Sequence, residues 1–276
     1  MPPPFASRIV TCFHQWDFLR QWVDDDALFP DDIEWGVVND APADPPPPAL
    51  AARLAGRRFR VLTAGLNLGR SRARNFGAGQ ATGRWLDFID GDDRPLPLAR
   101  GPWADADHGI VNFQVRLATA GRTLFSGAVH APVTARSQWA PLLPAYTPVD
   151  VTPAALLWRR ESFLALQGFD GRFEGAEDFH LVFCAMTTGV PLFREATPKQ
   201  CYFERDGPHT FLSSHIEGHR RLLEWIAAQD DGRLAAEARF WLGKELLYEC
   251  GLNLRRLWRH RRLVGRYLAS RLRTRR

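Results

Sequence analysis

Lysine is almost missing from this chain. Of its 36 basic residues only Lys199 and Lys244 are lysines, so the positive charge is carried by arginine. Cysteine is sparse too. Cys12, Cys184, Cys201 and Cys250 fall at no spacing that marks a zinc site or a CxxC redox motif, which removes both from the candidate functions. No apolar run approaches the ~18 residues of a membrane-spanning helix. The opening Met1-Pro2-Pro3-Pro4-Phe5-Ala6-Ser7-Arg8 lacks the apolar core of a signal peptide, so a cytoplasmic chain is expected. Neither low hydrophobicity nor a biased composition suggests disorder: 276 residues at 45% hydrophobic can bury one large core without disulfide or metal staples.

The net charge of +5 is unevenly placed. Residues 255–276 hold ten arginines and no acid, which leaves residues 1–254 at −5. The chain reads as an acidic body with a basic tail. At helical spacing, Arg255, Arg259, Arg262, Arg266 and Arg273 share one face of that tail. Leu254, Leu257, Val264, Leu268 and Leu272 lie on a broad opposite face. Such a helix suits an anionic membrane surface, giving a peripheral protein on the inner face of the membrane; the alternative is a solvated basic helix packed on the acidic body. Nucleic acid is not the expected partner, because no recognised module accompanies the charge.

Strand and helix signals alternate along the first 90 residues. Residues 8–13, 34–38, 58–62 and 85–89 are short, apolar and rich in β-branched or aromatic residues. Between them, Trp16, Leu19, Trp22 and Val23 recur at helical spacing, Pro45–Pro48 forms a stiff connection, and residues 70–81 read as a helix. This rhythm predicts an α/β fold, a mainly parallel sheet flanked by helices. Residues 109–117 and 123–130 read as a hairpin, and 131–153, with five prolines, as an irregular excursion. Residues 152–159 and 191–196 read as strands and 177–188 as a helix. From Pro208 the pattern is helical, so the division expected is a domain over 1–207 and a helical extension over 208–276.

Three segments carry chemistry. The apolar strand at 85–89 runs straight into Asp90, Asp92 and Asp93. Ligands of open α/β sheets bind outside the carboxyl ends of strands, and clustered carboxylates there suit Mg²⁺ or Mn²⁺ bridging a diphosphate; the other reading is a solvated acidic loop. Upstream, Gly69 permits a tight turn, Ser71 is placed to cap the helix, and Arg70, Arg72 and Arg74 add charge to its anion-favouring start. Downstream, Glu177 and Asp178 open a helix after a glycine-bearing loop. There a carboxylate serves either as a cap or as a general base.

Taken in order, Val37-Val38-Asn39-Asp40, Asn67 with Gly69, Ala73-Arg74-Asn75, Ala81 with Gly83, Phe88–Asp93, Gly168-Phe169-Asp170 and Glu177-Asp178 resemble the family 2 glycosyltransferases of the GT-A fold. The resemblance spans about residues 8–210. It implies an inverting glycosyltransferase that takes a nucleotide-diphosphate sugar, with UDP-sugars the commonest class. The acceptor implied is a saccharide or lipid-linked glycan in surface-polysaccharide assembly. It also implies roles: Asp40 at the nucleoside base or ribose, Arg74 near the base or diphosphate, Asn75, Asp90 and Glu177 lining the nucleotide-sugar site, Asp90, Asp92 and Asp93 at the metal with Asp92 the foremost ligand, and Asp178 as the catalytic base. His209 matches the place where some relatives supply a histidine to the metal and diphosphate, and reads otherwise as a helix-start residue. The sequence departs from the family pattern at Asn39, where an acid is common, and at Gln167, where a glycine is common. His180, two residues from Asp178, points to another helix face and reads as structural. Trp139, Tyr146 and Trp158 are candidates for stacking on sugar rings. The rival readings are a nucleotidyltransferase, disfavoured because Cys12–Trp16 is no glycine-rich phosphate loop, and a non-catalytic sugar-binding scaffold held at a membrane by the tail.

Overall fold

The computed structural model describes residues 2–57, 59–117, 152, 153, 155–202 and 212–228. Among these, eight strands form one sheet: β1 (Ala6–Cys12), β2 (Ile33–Asn39), β3 (Arg60–Thr63), β4 (Trp85–Asp90), β5 (Arg94–Pro95), β6 (Ile110–Leu117), β7 (Leu156–Arg159) and β8 (Leu192–Tyr202). The helices are α1 (Trp16–Leu19), α2 (Pro48–Gly56), α3 (Arg70–Gln80), α4 (Arg160–Ala165), α5 (Glu177–Thr187) and α6 (Leu212–Ala228).

The strand order is β3-β2-β1-β4-β7-β6-β8-β5. The first four of these strands are mutually parallel, as the β-α-β rhythm predicts. Parallel neighbours need a crossover of a dozen or more residues, and helices supply it here. Beyond β4 the sheet is mixed: β7 runs antiparallel to β4 and β6, while β6 and β8 are parallel. The fold is α/β and GT-A-like.

Alternation along the parallel strands shows why both faces are covered. Ile9, Val38 and Phe88 pack with α3, α4, α5 and α6, while their neighbours Val10, Val37 and Ile89 pack with Trp16, Leu19, Trp22, Leu50, Leu54 and Phe59. With a side-chain period of two, consecutive apolar residues must bury on opposite faces. On the second face Trp22, Phe29, Trp35 and Phe59 pack with ring centroids 5.1–6.2 Å apart. Trp22, Trp35 and Phe59 are thus core residues, with Phe29 packed against them, each side chain stabilising by about 1.5–3 kcal/mol when fully buried.

Several boundaries differ from expectation. The first helix is a single turn, although Trp16, Leu19, Trp22 and Val23 are all buried as the spacing requires. The proline run ends in a helix, α2, with Pro48 at its first position, where a fixed φ and a missing N–H do no harm. β8 continues to Tyr202 because it pairs with β6 along nearly its whole length. Trp158 is fully buried against Phe163 and faces no sugar. The expected strand at 123–130, Trp139, Tyr146, His209 and the tail at 255–276 lie outside the described residues.

Candidate active site

The carboxyl ends of β1, β2, β3 and β4 share one edge of the sheet, and the candidate residues gather there. Arg74 is the hub. Its helix α3 lies over β1 and β2, and its guanidinium is buried. Nη2 donates to Asp90 Oδ1 at 2.6 Å, and Nη1 donates to Glu177 Oε1 at 2.9 Å. The cation also sits 5.4 Å from the Phe169 ring. One arginine therefore ties the end of β4 to the start of α5, reaching a partner 103 positions along the chain from itself.

Charge follows from this geometry. Burial opposes the charge on Arg74, but Asp90 and Glu177 outweigh it and hold the guanidinium above its usual range. Burial also pushes the Asp90 carboxyl up; the charge and hydrogen bond of Arg74, with help from Arg70 and Thr11, bring it below the usual carboxylate range. Asp178 differs. Burial and the adjacent Glu177 push its carboxyl up to about 8, only partly offset by the Phe179 N–H, which donates to Oδ1 at 2.8 Å, and by Arg74 and Arg70. Such a carboxylate is matched to proton transfer near neutral pH.

The acidic turn is not a ready-made cation cage. Asp90 faces Arg74. Asp93 is buried and accepts from Gln200 Nε2 at 2.8 Å. Among the described residues no three His, Cys, Asp or Glu side chains come together in a way that could hold a metal. Asp90 and Asp93 are thus each held by a partner within the protein. Asp92 lies between Gly91 and Asp93 on the same turn, and a turn of carboxylates offers the oxygen ligands that a hard divalent cation takes.

Four other residues hold positions of interest and are buried or engaged within the protein. Asp40 is buried; Oδ1 accepts from the Leu68 N–H at 2.6 Å, and Oδ2 from the Gly69 N–H and Asn67 Nδ2, each at 3.1 Å. It organises the loop that starts α3. Asn75 clasps a peptide: Nδ2 donates to Phe169 O at 2.8 Å, and Oδ1 accepts from the Phe169 N–H at 2.9 Å. That clasp needs Gly168, at φ 69°, since a Cβ there would lie 2.5 Å from Asn75 Oδ1. Both residues were expected to line the nucleotide-sugar site, and their polar atoms are engaged by the protein itself. Ser71 is not the cap of α3; Gly69 holds the N-cap position and Ser71 lies inside the first turn. His180 is stacked on Phe173 at 4.1 Å, and burial lowers its pKa to about 4, in keeping with a structural role.

Sequence reasoning missed a buried ionic network behind the acidic turn. Arg8 Nε donates to Asp87 Oδ2 at 2.8 Å, Lys199 Nζ donates to Asp87 Oδ1 and, at 2.9 Å, to Pro153 O, and the adjacent Gln200 holds Asp93. Arg8, Asp87, Lys199 and Gln200 are all essentially unexposed. The signal was present: Lys199 is one of two lysines in an arginine-dominated chain. Arginine presents a planar fork, whereas lysine is a compact point charge. Also unforeseen were Phe13, 53% exposed just past β1, and Leu66, 60% exposed just past β3, which give the same sheet edge an apolar rim.

Comparison with known proteins bears on this edge. Residues 7–104 match the family model Glycosyl transferase family 2. A curated relative, the succinoglycan biosynthesis protein ExoO of Rhizobium meliloti (strain 1021), is 36% identical over 98 residues, 33% of this chain and 28% of that protein. S. aureus TarS 1–349 in complex with UDP-GlcNAc superposes with a TM-score of 0.64 at 18% identity, covering 90% of this chain and 73% of that one. The mannosyltransferase PcManGT from Pyrobaculum calidifontis, in complex with GDP-Man and Mn²⁺, gives a TM-score of 0.57 at 20% identity, covering 99% and 76%. The chain spans 28% of the length of ExoO and 44% of the longer TarS chain.

Proposed function

We propose that this chain, which carries a glycosyltransferase family 2 segment over residues 7–104, moves a sugar from a nucleotide-diphosphate sugar to an acceptor hydroxyl with inversion. The observation that carries the reading is the buried Arg74 bridge. It brings Asp90, at the sheet edge where a donor would lie, beside Glu177 and the proton-hungry Asp178. In the proposed step the acceptor oxygen attacks the anomeric carbon as its proton passes to Asp178. The bond from that carbon to the phosphate oxygen breaks, and the electron pair leaves with the nucleoside diphosphate. Arg74 holds Glu177 and Asp90 still, and α3 presents Arg70 nearby, where its charge already acts on both Asp90 and Asp178. Phe13 and Leu66 offer apolar surface for the nucleobase.

A divalent cation, Mn²⁺ or Mg²⁺, would offset charge on the leaving diphosphate, with Asp92 as its foremost protein ligand beside Asp90 and Asp93. Such ions are commonly shared with substrate phosphates, so cation and nucleotide are expected to bind together. EDTA should abolish transfer, and Mn²⁺ should bind measurably only in the presence of UDP or GDP. Undiminished turnover in EDTA would remove the cation from the account.

The donor is read as a UDP-sugar, supported by the UDP-GlcNAc complex of TarS, with the GDP-Man complex of PcManGT marking the other class to test. The acceptor is read as a saccharide or lipid-linked glycan of a surface polysaccharide, supported by the named role of ExoO. The division into a transfer domain over 1–207 and an extension over 208–276 belongs to the same reading, as does contact of the arginine-rich tail with an anionic membrane. No helix among the described residues is long and apolar enough to cross a membrane. The test is release of nucleoside diphosphate from UDP-GlcNAc and GDP-mannose, with water or added glycan as acceptor. Release by the intact chain, lost in Asp178→Asn, supports the reading; no release from either donor with any nucleotide binding absent would defeat it.

A further inference from the structure

Helix α6 packs its apolar residues into the core, and it also lays Gly218 and Arg221 on one short stretch, the connection that leads into Glu177 and Asp178. Gly218 is pressed against it so closely that a Cβ would lie 2.3 Å from the Glu174 carbonyl oxygen and 3.1 Å from the Ala176 nitrogen. Glycine weakens a helix interior relative to alanine, so its presence in the middle of α6 calls for a packing reason. Here the reason is backbone contact. Three residues on, Arg221 Nη1 donates to Arg172 O at 3.1 Å. The His219 ring lies 5.3 Å from Phe179, and the Trp225 ring 6.2 Å from Phe173 and 4.7 Å from His180. The connection then reaches the active site directly: the Gly175 N–H donates to Glu177 Oε2 at 2.8 Å, and the other oxygen of Glu177 accepts from Arg74.

We propose that α6 is a positioning element for the transfer reaction, with Gly218 as its positioning residue. By lying against the backbone of Glu174–Ala176 it fixes where Glu177 sits, and with it the angle from which Asp178 meets the acceptor. The acidic edge at Asp90, where the donor is expected to bind, lies at the end of β4 and not on this connection. The proposal rests on the assignment of Asp178 as base. It separates α6 from a mere core helix by one property: disturbing Gly218 slows turnover without loosening the donor.

The experiment compares four variants of the full chain. Gly218→Ala forces the 174–176 backbone to move, Arg221→Ala removes an exposed hydrogen bond to the Arg172 carbonyl and an exposed ion pair with Glu217, Leu54→Ala opens a core cavity on the opposite face of the sheet, and Asp178→Asn removes the base. Each is measured for melting temperature, for UDP and GDP binding by calorimetry, and for kcat and KM of nucleotide release from UDP-GlcNAc and GDP-mannose. A misplacement near 1 Å can reduce turnover by about 100-fold. The expected result is a drop in kcat of about 10- to 100-fold for Gly218→Ala and a smaller drop for Arg221→Ala. Nucleotide affinity and KM should stay within about twofold, and Leu54→Ala should keep wild-type kcat despite its lower melting temperature. If Gly218→Ala does not fold, Arg221→Ala alone decides. The proposal is overturned if the folded Gly218→Ala or Arg221→Ala turns over at the wild-type rate, or if nucleotide affinity falls as far as kcat. Should Asp178→Asn keep its activity, the base assignment fails first and the positioning role with it. Loss in Asp178→Asn beside full activity in Gly218→Ala sinks the positioning role alone.

Discussion

Arg74 shows how much a single residue can organise. Its two partners come from different ends of the chain, and Glu177 is as buried as the arginine itself. Replacing Arg74 with alanine leaves a buried carboxylate without its cation, a change that typically costs about 3–5 kcal/mol. The urea midpoint of Arg74→Ala should fall accordingly; an unchanged midpoint would mean the bridge is not formed in solution. Asp178 works in the other direction. Its carboxyl is raised from an ordinary 3.8 to about 8, so the native state holds a proton that the unfolded state has lost between those values. The associated stability is fully present below about pH 4 and is lost as pH rises through about 8. Asp178→Asn removes this dependence. Its melting temperature should exceed that of the wild type at pH 9, and the difference should vanish near pH 4. At this scale the sequence marks positions more readily than partners. Asp40 and Asn75 stand at the site, but a linear motif does not reveal that the Leu68, Gly69 and Phe169 backbone takes their polar atoms. Lys199 was countable as a rarity, yet its burial depends on strands far apart in the chain.

At the scale of elements, α3 is both a cover for the sheet and a holder of the loop at Phe169. Asn75 makes both bonds to the Phe169 peptide, so Asn75→Ala strands an N–H and a carbonyl in a half-buried setting. Each unsatisfied buried group costs about 1–3 kcal/mol. The expected outcome is lower stability together with faster amide exchange at Phe169, measured by hydrogen exchange; unchanged protection there would contradict the clasp. The α3 helix and β1 to β4 were legible because each carries a local signal: alternation for strands, spacing and glycine for the helix. The single-turn α1 and the full length of β8 were not. Apolar spacing at Trp16–Val23 is satisfied equally by a helix or by successive turns that bury the same side chains. The second half of β8 is held as a strand by pairing with β6, a long-range fact with no local periodicity.

For the whole molecule, the α/β architecture was readable from the first 90 residues, whereas the antiparallel entry of β7 between β4 and β6 was not, because strand order beyond a βαβ unit is set by which edges remain to be paired. Charge is organised at this scale too. The body over 1–254 is net negative and the last 22 residues carry ten arginines. Near an anionic membrane each basic residue contributes about 1 kcal/mol, screened by salt. A chain truncated after residue 254 should therefore lose sedimentation with phosphatidylserine vesicles at low salt while keeping its turnover of soluble donor. Equal vesicle binding by both chains would set the membrane reading aside. The division of labour proposed is a sheet edge for the donor, a bridged pair of helices for the base, and a basic tail for a surface on which an acceptor is displayed.

The central claim, that Asp178 draws the proton in a sugar transfer arranged by Arg74, meets its most direct test in the pH dependence of kcat/KM for nucleotide release from UDP-GlcNAc or GDP-mannose. The wild type should rise with pH and level off above about 8, as the carboxyl ionises. Asp178→Asn should be flat across the same range and lower by about 10²- to 10⁴-fold at the plateau, with nucleotide binding retained. An Asp178→Asn enzyme that follows the wild-type curve, in height and in shape, would contradict the account.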